Sequence, residues 1–326
     1  ISSHTLKKLQ QLAMAAKTPS SCFAFLKEAL ILPTRNPKLF APVFLLLAVA
    51  TFLVRSVHVV FIQPLADDMA RSIYLIEMRN TGISCAECAK LEDGARRIML
   101  ISIAQVILML ALGFVKKALA FFAASTTYSG DRYSLAELVR KVMCKGNTLK
   151  GPAITFAVVT ALGLAWTAVL VAVRTTTVMM LGRRSGVLSV QGFVFLLTLL
   201  AELCFAVVAL VSVAASVVDG EPRGVRALRQ AWRLMTRVRR KEGLLLVVLA
   251  CLLPTVVAPV YRAALMYSRR SMAAGLCVLA GYALLFGALQ LVYLAAATVL
   301  YYEAMESKEA VPCDDYAQIP SNEGDV

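Results

Sequence analysis

The sequence predicts an all-α, polytopic membrane protein: a bundle of six transmembrane helices joined by interfacial amphipathic helices, with an internal hairpin repeat. Three observations carry this. Six apolar stretches are each long enough for a bilayer, whose hydrocarbon core takes about 20 apolar helical residues to cross. The composition is 59% hydrophobic and 17% charged, with mean hydropathy +0.73; soluble domains average about 45–50% apolar and about 25% charged. The apolar runs lack strict alternation, so their backbone groups must be satisfied within helices rather than across a barrel.

The spans fall at Leu39–Phe61, Ile98–Val115, Ala153–Val173, Phe193–Val218, Gly243–Val260 and Leu276–Tyr302. They divide the chain into an N-terminal cytoplasmic segment with an amphipathic helix (1–38), a six-helix domain (39–302) and an acidic, disordered cytoplasmic tail (303–326). The chain begins at Ile1 rather than Met, so its extreme N-terminus is read as missing. Leu39–Phe61 comes too late and runs too long for a signal peptide, and is read as a retained span.

Before the first span, Cys22-Phe-Ala-Phe-Leu-Lys-Glu-Ala-Leu-Ile-Leu32 is amphipathic and is expected to end at Pro33. Asn36-Pro37 then signals a new helix start. Arg55 and His58 stand toward the outer end of span one, where snorkelling to headgroups explains them. Lys116-Lys117 is read as the cytoplasmic end of span two, followed by an interfacial stretch through Thr126. After it, Leu135, Leu138, Val139 and Val142 form a helical stripe. Val225, Leu228, Trp232 and Met235 form a second, with Arg226, Arg229, Arg233, Arg237 and Arg240 on the opposite face. A basic amphipathic helix with a Trp belongs flat on a membrane surface. Pro254 and Pro259 should kink or partly unwind span five, because each removes a backbone hydrogen bond.

The two surface segments pair Gly130 with Gly220, Asp131 with Glu221, Leu135 with Val225 and Leu138 with Leu228. Each lies between an entering and a leaving span. The pattern reads as a repeat of span, Gly-acidic turn, surface helix, span; convergence on a turn followed by a surface helix is the alternative.

Charge sets the expected orientation. The net charge is +14 and the pI about 9.6. Of 34 Lys and Arg, 22 fall on the side of the termini, 11 on the other side, and Arg55 within span one. Positive charge marks the cytoplasmic side, so both termini are expected in the cytoplasm of a plasma membrane or endomembrane. The same charge suits anionic lipid headgroups as partners. A basic patch is only the electrostatic part of a nucleic-acid footprint, and no nucleic-acid motif accompanies it.

Candidate chemistry is sparse. Cys85-Ala-Glu-Cys88 in the first outer loop reads as a local disulfide or as two ordinary thiols, with redox or metal chemistry a third reading. Cys204, Cys251 and Cys277 lie in spans and read as small hydrophobes. Glu202 in span four is costly in lipid and therefore a functional candidate, a proton or cation site; the other reading has it hydrogen-bonded to a neighbour such as Gln290. Tyr316-Ala-Gln-Ile319 fits the Tyr-x-x-apolar pattern read by clathrin adaptors. No Ser/His/Asp set, phosphate loop or metal-ligand cluster is visible, so no catalytic, metal or cofactor residue is assigned and the chain is expected not to be an enzyme.

The stretch Phe25-Leu-Lys-Glu-Ala-Leu-Ile-Leu-Pro-Thr-Arg-Asn-Pro-Lys-Leu-Phe40 resembles the start of a large family of multi-spanning plant membrane proteins, expanded in grasses. The resemblance continues through Gln63-Pro-Leu65, Thr126-Thr-Tyr-Ser-Gly130, Val217-Val-Asp-Gly220 and Val299-Leu-Tyr-Tyr-Glu303. Arg35-Asn-Pro-Lys-Leu-Phe40 is its most specific part. It implies six helices in a plant membrane and brings no catalytic residue, since the family has no accepted biochemical activity. The plan also resembles, in architecture only, bacterial six-span domains, some of which are fused to glycerophosphodiesterases. The functional expectation is a non-enzymatic membrane protein acting through lipid contact or through adaptor or membrane-protein partners. The alternative is a small-solute or ion transporter using Glu202 and a Pro-broken fifth helix.

Overall fold

The computed structural model describes residues 23–79, 85–144, 150–181, 190–219 and 224–309. It is an all-α bundle, with no strand among the described residues. Six helices are long and apolar enough to cross a membrane: Pro37–Leu75, Ala89–Tyr128, Lys150–Val173, Leu196–Val218, Arg240–Ser268 and Met272–Ser307.

Helix α1 (Ala24–Arg35) buries Phe25, Ala29 and Leu32, the amphipathic stripe expected, although it continues two residues past Pro33. Asn36 leaves helical geometry (φ −140°), and α2 (Pro37–Val57) starts on the proline, whose missing N–H costs nothing in a first turn. Asn36 is buried, and its Nδ2 donates to the Tyr133 carbonyl at 3.2 Å. A π-turn (His58–Ile62) carries α2 into α3 (Gln63–Arg79), so the first span continues well past Phe61.

Helix α4 (Cys85–Tyr128) has 44 residues and is about 66 Å long. It corrects the reading of Lys116-Lys117 as a span end. The helix continues unbroken, and Ala118, Ala120, Phe121, Phe122, Ala123 and Ala124 beyond them are buried in the core. Both lysines therefore lie within the bundle; without them the Lys and Arg asymmetry is 20 to 11. At its end α4 closes in a Schellman turn. Gly130 takes φ +85°, and the Asp131 and Gly130 N–H groups donate to Thr126 and Thr127 carbonyls at 3.0 and 3.1 Å.

Helix α5 (Leu135–Cys144) follows, with Leu138 buried. It opens on a capping box: Ser134 N–H donates to Glu137 Oε2 at 2.9 Å, and Glu137 N–H donates to Ser134 Oγ at 3.4 Å. The Ser134 bonds favour the charged carboxylate and hold Glu137 below its ordinary value of 4.5. A carboxyl lowered on folding stabilises above its unfolded value, and that support is lost as pH falls through the lowered one. Amide-exchange protection at Glu137 and Leu138 should fall across that acid window in the wild type, and should be low and pH-insensitive in Glu137→Ala, which removes the acceptor. Protection unchanged by the substitution would mean that the box does not hold the helix start.

Helices α6 (Lys150–Leu181) and α7 (Val190–Val218) form a hairpin; α8 (Val225–Arg233) and a second π-turn (Leu234–Val238) lead into α9 (Arg240–Ser268). α9 runs helical through Pro254 and Pro259, against the expected unwinding. Spanning helices tolerate proline where packing on a neighbour holds them, and α9 packs along α10 (Met272–Glu309). α10 itself extends seven residues beyond Tyr302, so the segment after residue 302 begins as helix rather than as a disordered tail.

The main core joins α1, the start of α2, the last turns of α4, and α7 to α10; a smaller cluster of Val59, Val257, Ala264, Leu279 and Tyr282 fills the other end. The most apolar windows of the second and third spans bury no residue within the protein and are left for lipid. Asn36–Tyr133, Ser125–Tyr302 and Gln230–Tyr301 hydrogen bonds gather α1, α5, α8 and the end of α10 at one end of the bundle, called here the basic end. Both expected surface segments are helical. Gly220 and Glu221, in the second turn of the repeat, lie outside the described residues.

Candidate functional site at the basic end

Helix α8 has three faces. Ala227, Ala231 and Leu234 are buried against the bundle. Small side chains let two backbones approach closely, which is how helices gain packing where lipid is as apolar as the interior. Gly224 before it donates its N–H to Thr155 Oγ1 on α6 at 2.9 Å. The stripe read from the sequence faces elsewhere: Val225 is 65% exposed and Trp232 53%, with Leu228 and Met235 half-buried beside the core. The third face is basic. Arg226, Arg229, Arg233, Arg237 and Arg240 are all exposed. Arg226, Arg229, Arg233 and Arg237 form no ion pair among the described residues, and Arg240 donates to the Thr236 carbonyl. An exposed apolar flank and an uncommitted basic flank thus share one short helix.

Behind α8 lies a clasp that the sequence reading missed. Arg239 ends the second π-turn, and its Nη1 donates to Glu242 Oε1 at 3.2 Å and Glu303 Oε2 at 2.9 Å. Its Nε and Nη2 donate to Ser307 Oγ at 3.3 and 2.9 Å. The three charged side chains are 14–19% exposed. Alongside, Gln230 Nε2 donates to the Tyr301 hydroxyl at 3.1 Å, and that hydroxyl donates to Asp219 Oδ2. Tyr302 hydrogen-bonds Ser125 at 2.8 Å and stacks on Tyr128 with centroids 4.6 Å apart. Tyr128, Asp219, Tyr301, Tyr302 and Glu303 fall in Thr126–Gly130, Val217–Gly220 and Val299–Glu303, and Ser125 stands beside the first; Gln230, Arg239, Glu242 and Ser307 lie outside them. A carboxylate closing an apolar span was the available signal; its partner, 64 residues away, had none.

The other candidates do not converge here. Glu202 is half-buried in α7 and makes no hydrogen bond or ion pair among the described residues. Gln290, expected as its neighbour, instead accepts from Lys116 Nζ at 3.3 Å. Arg55 does not simply reach for headgroups; its guanidinium lies over the Tyr261 ring, 5.0 Å from the centroid. His58 starts the first π-turn. Cys85 and Cys88 occupy the first turn of α4, with side chains outside the described ones; Tyr316 and Ile319 lie outside the described residues. Cys204, Cys251 and Cys277 are free thiols; the first two are half-buried and Cys277 is exposed on its span. No metal-ligand cluster occurs among the described residues.

At the far end, a cavity of about 550 Å³ lies between α3 and the α9–α10 turn, and neither Glu202 nor Pro254 lines it. Asp67 and Arg269 pair across it at 2.9 Å, and Ser268 Oγ donates to Gln63 Oε1 at 3.3 Å.

No family model, curated protein or solved structure matches this chain.

Proposed function

We propose that this integral membrane protein acts without catalysis, through contact between α8 and an anionic membrane surface, with both termini in the cytoplasm. The observation that carries the reading is the sorting of α8: alanines against the bundle, Val225 and Trp232 outward, and arginines beside them without protein partners. A protein-facing helix would bury its Trp. A helix at an interface puts the Trp at headgroup depth and the arginines on phosphates. The clasp behind α8 favours a fixed platform over a reaction centre, since its charged groups are committed to one another. Four of the five resembling segments contribute to this end, with Gln63–Leu65 at the other, and support, as part of the proposal, membership of the plant family.

Trp232 can report on this directly. The chain has two tryptophans, so Trp166→Phe leaves Trp232 as the only one. In bilayers of uncharged lipid doped with brominated phosphatidylglycerol, its fluorescence should be quenched at lower mole fraction than with brominated phosphatidylcholine. Each arginine is worth about 1 kcal/mol near a charged leaflet, roughly fivefold. Arg226, Arg229 and Arg233→Gln together should erase the preference while keeping the helix, because Gln has similar helix propensity. Equal quenching by both lipids in the unsubstituted chain would overturn the proposal.

A further inference from the structure

Several basic groups stand deep in the bundle. Lys116 lies nine residues before Ser125, about 14 Å along α4, and Gln290 lies twelve before Tyr302, about 18 Å along α10. Ser125 and Tyr302 are hydrogen-bonded at the basic end. The Lys116–Gln290 bond of 3.3 Å therefore stands near the middle of a hydrocarbon layer roughly 30 Å thick. That bond also directs the ammonium toward α10 rather than to a headgroup. Lys117 places its ammonium 5.6 Å from the Phe156 ring centroid, and Arg55 lies over Tyr261. The charges acting on Lys116 are those of Lys117 and Arg55, and Arg55 also acts on His58. None of the four forms an ion pair among the described residues. Beside Arg55, the Tyr261 hydroxyl is buried and its proton meets no acceptor among the described residues.

A single Lys or Arg at the centre of a spanning helix costs about 2.5–3.5 kcal/mol even after relaxation. Intramembrane cations are usually matched with a carboxylate; here the matches are an amide oxygen and two aromatic rings. The arrangement lacks negative charge and still holds N–H and O–H donors: the remaining Lys116 protons, the Gln290 amide and the Tyr261 hydroxyl.

We infer that Lys116, with Gln290 and with Arg55 as a second station, forms a binding site for a small inorganic anion inside the membrane-spanning bundle. Lys116 and the Gln290 amide donate to the anion. Arg55 and Tyr261 stand between them and the far-end cavity, whose wall includes Val59, the residue after His58. The anion supplies the charge that the protein omits.

The test uses the full chain in an uncharged detergent, free of phospholipid, at constant ionic strength. Thermal unfolding is followed as gluconate, a bulky organic anion, is replaced by chloride, nitrate or phosphate. A saturable rise in Tm is expected with at least one of the three. Lys116→Gln should raise its half-saturating concentration at least tenfold and Arg55→Gln several-fold, while Lys38→Gln on the surface leaves it unchanged. Should Lys116→Gln not fold, Gln290→Glu carries the test. It places a carboxylate against Lys116, so the anion-free Tm should rise and the anion dependence vanish. No saturable effect of any anion, or an effect undiminished in Gln290→Glu, overturns the inference. Stabilisation by added phosphatidylglycerol with none from the inorganic anions also overturns it, since the cluster would then take a lipid phosphate.

Discussion

Arg239→Met should destabilise the bundle by about 3 kcal/mol, more than any other exchange of a charged residue described. Removing one member of a buried ion pair costs about 3–5 kcal/mol, chiefly because the charge left behind has no partner. Arg239 is 19% exposed, which puts the expectation at the low end. Two carboxylates, Glu242 and Glu303, would be stranded together, and Ser307 would lose its donor. Unfolding in mixed micelles, followed by circular dichroism against sodium dodecyl sulfate mole fraction, measures the loss. The cause is separable from the deletion of a long side chain. Adding Glu242→Gln and Glu303→Gln to Arg239→Met should recover at least half of the stability, because the stranded charges are gone. If the triple variant is no more stable than Arg239→Met, the clasp acts by packing and the electrostatic account fails.

Gly275→Ala should be comparably damaging at the far end, for a steric reason. A methyl group there would lie 2.5 Å from Ser268 Cβ and 2.6 Å from Ser268 Cα. The backbone of the α9–α10 turn cannot yield as a flexible side chain would, so the two helices must move apart. Overpacking typically costs about 1–3 kcal/mol, and backbone as the obstacle places this case at the upper limit. Gly281, six residues on in the same helix, meets nothing within 4 Å. Gly281→Ala should therefore stabilise by about 0.5–1 kcal/mol, the usual gain of alanine over glycine within a helix. The pair is its own control: equal effects would mean that helix propensity, not the close approach, dominates.

The six spans and the three surface helices were legible because bilayer thickness and helical periodicity both leave marks along the chain. Depth was less legible. Lys116 and Lys117 mimic a span boundary, although the residues after them, Ala118 to Ala124, are all apolar. Which face of α8 meets protein was also hidden. Lipid and core are both apolar, so Trp232 and Ala231 carry the same hydropathic message although one faces out and the other in. The Arg239–Glu303 pair is set by how α8 and α10 cross, which no local pattern encodes. Pro254 and Pro259 misled because the penalty of a proline depends on what holds the helix around it.

The docking of α1 has a consequence for biogenesis. Phe25, Ala29 and Leu32, among the earliest described residues to be synthesised, are buried in the core that α10 completes. Asn36 must wait for Tyr133, 97 residues later, before its side chain has its acceptor. While the intervening spans insert one by one, α1 has no place to go and keeps an oily stripe exposed on the nascent chain. Among the described residues, the fold is thus closed by its first and last helices. A ribosome that stops before the last helix releases a product whose amphipathic leader is undocked, which gives chaperones and membrane quality control a built-in mark of incompleteness.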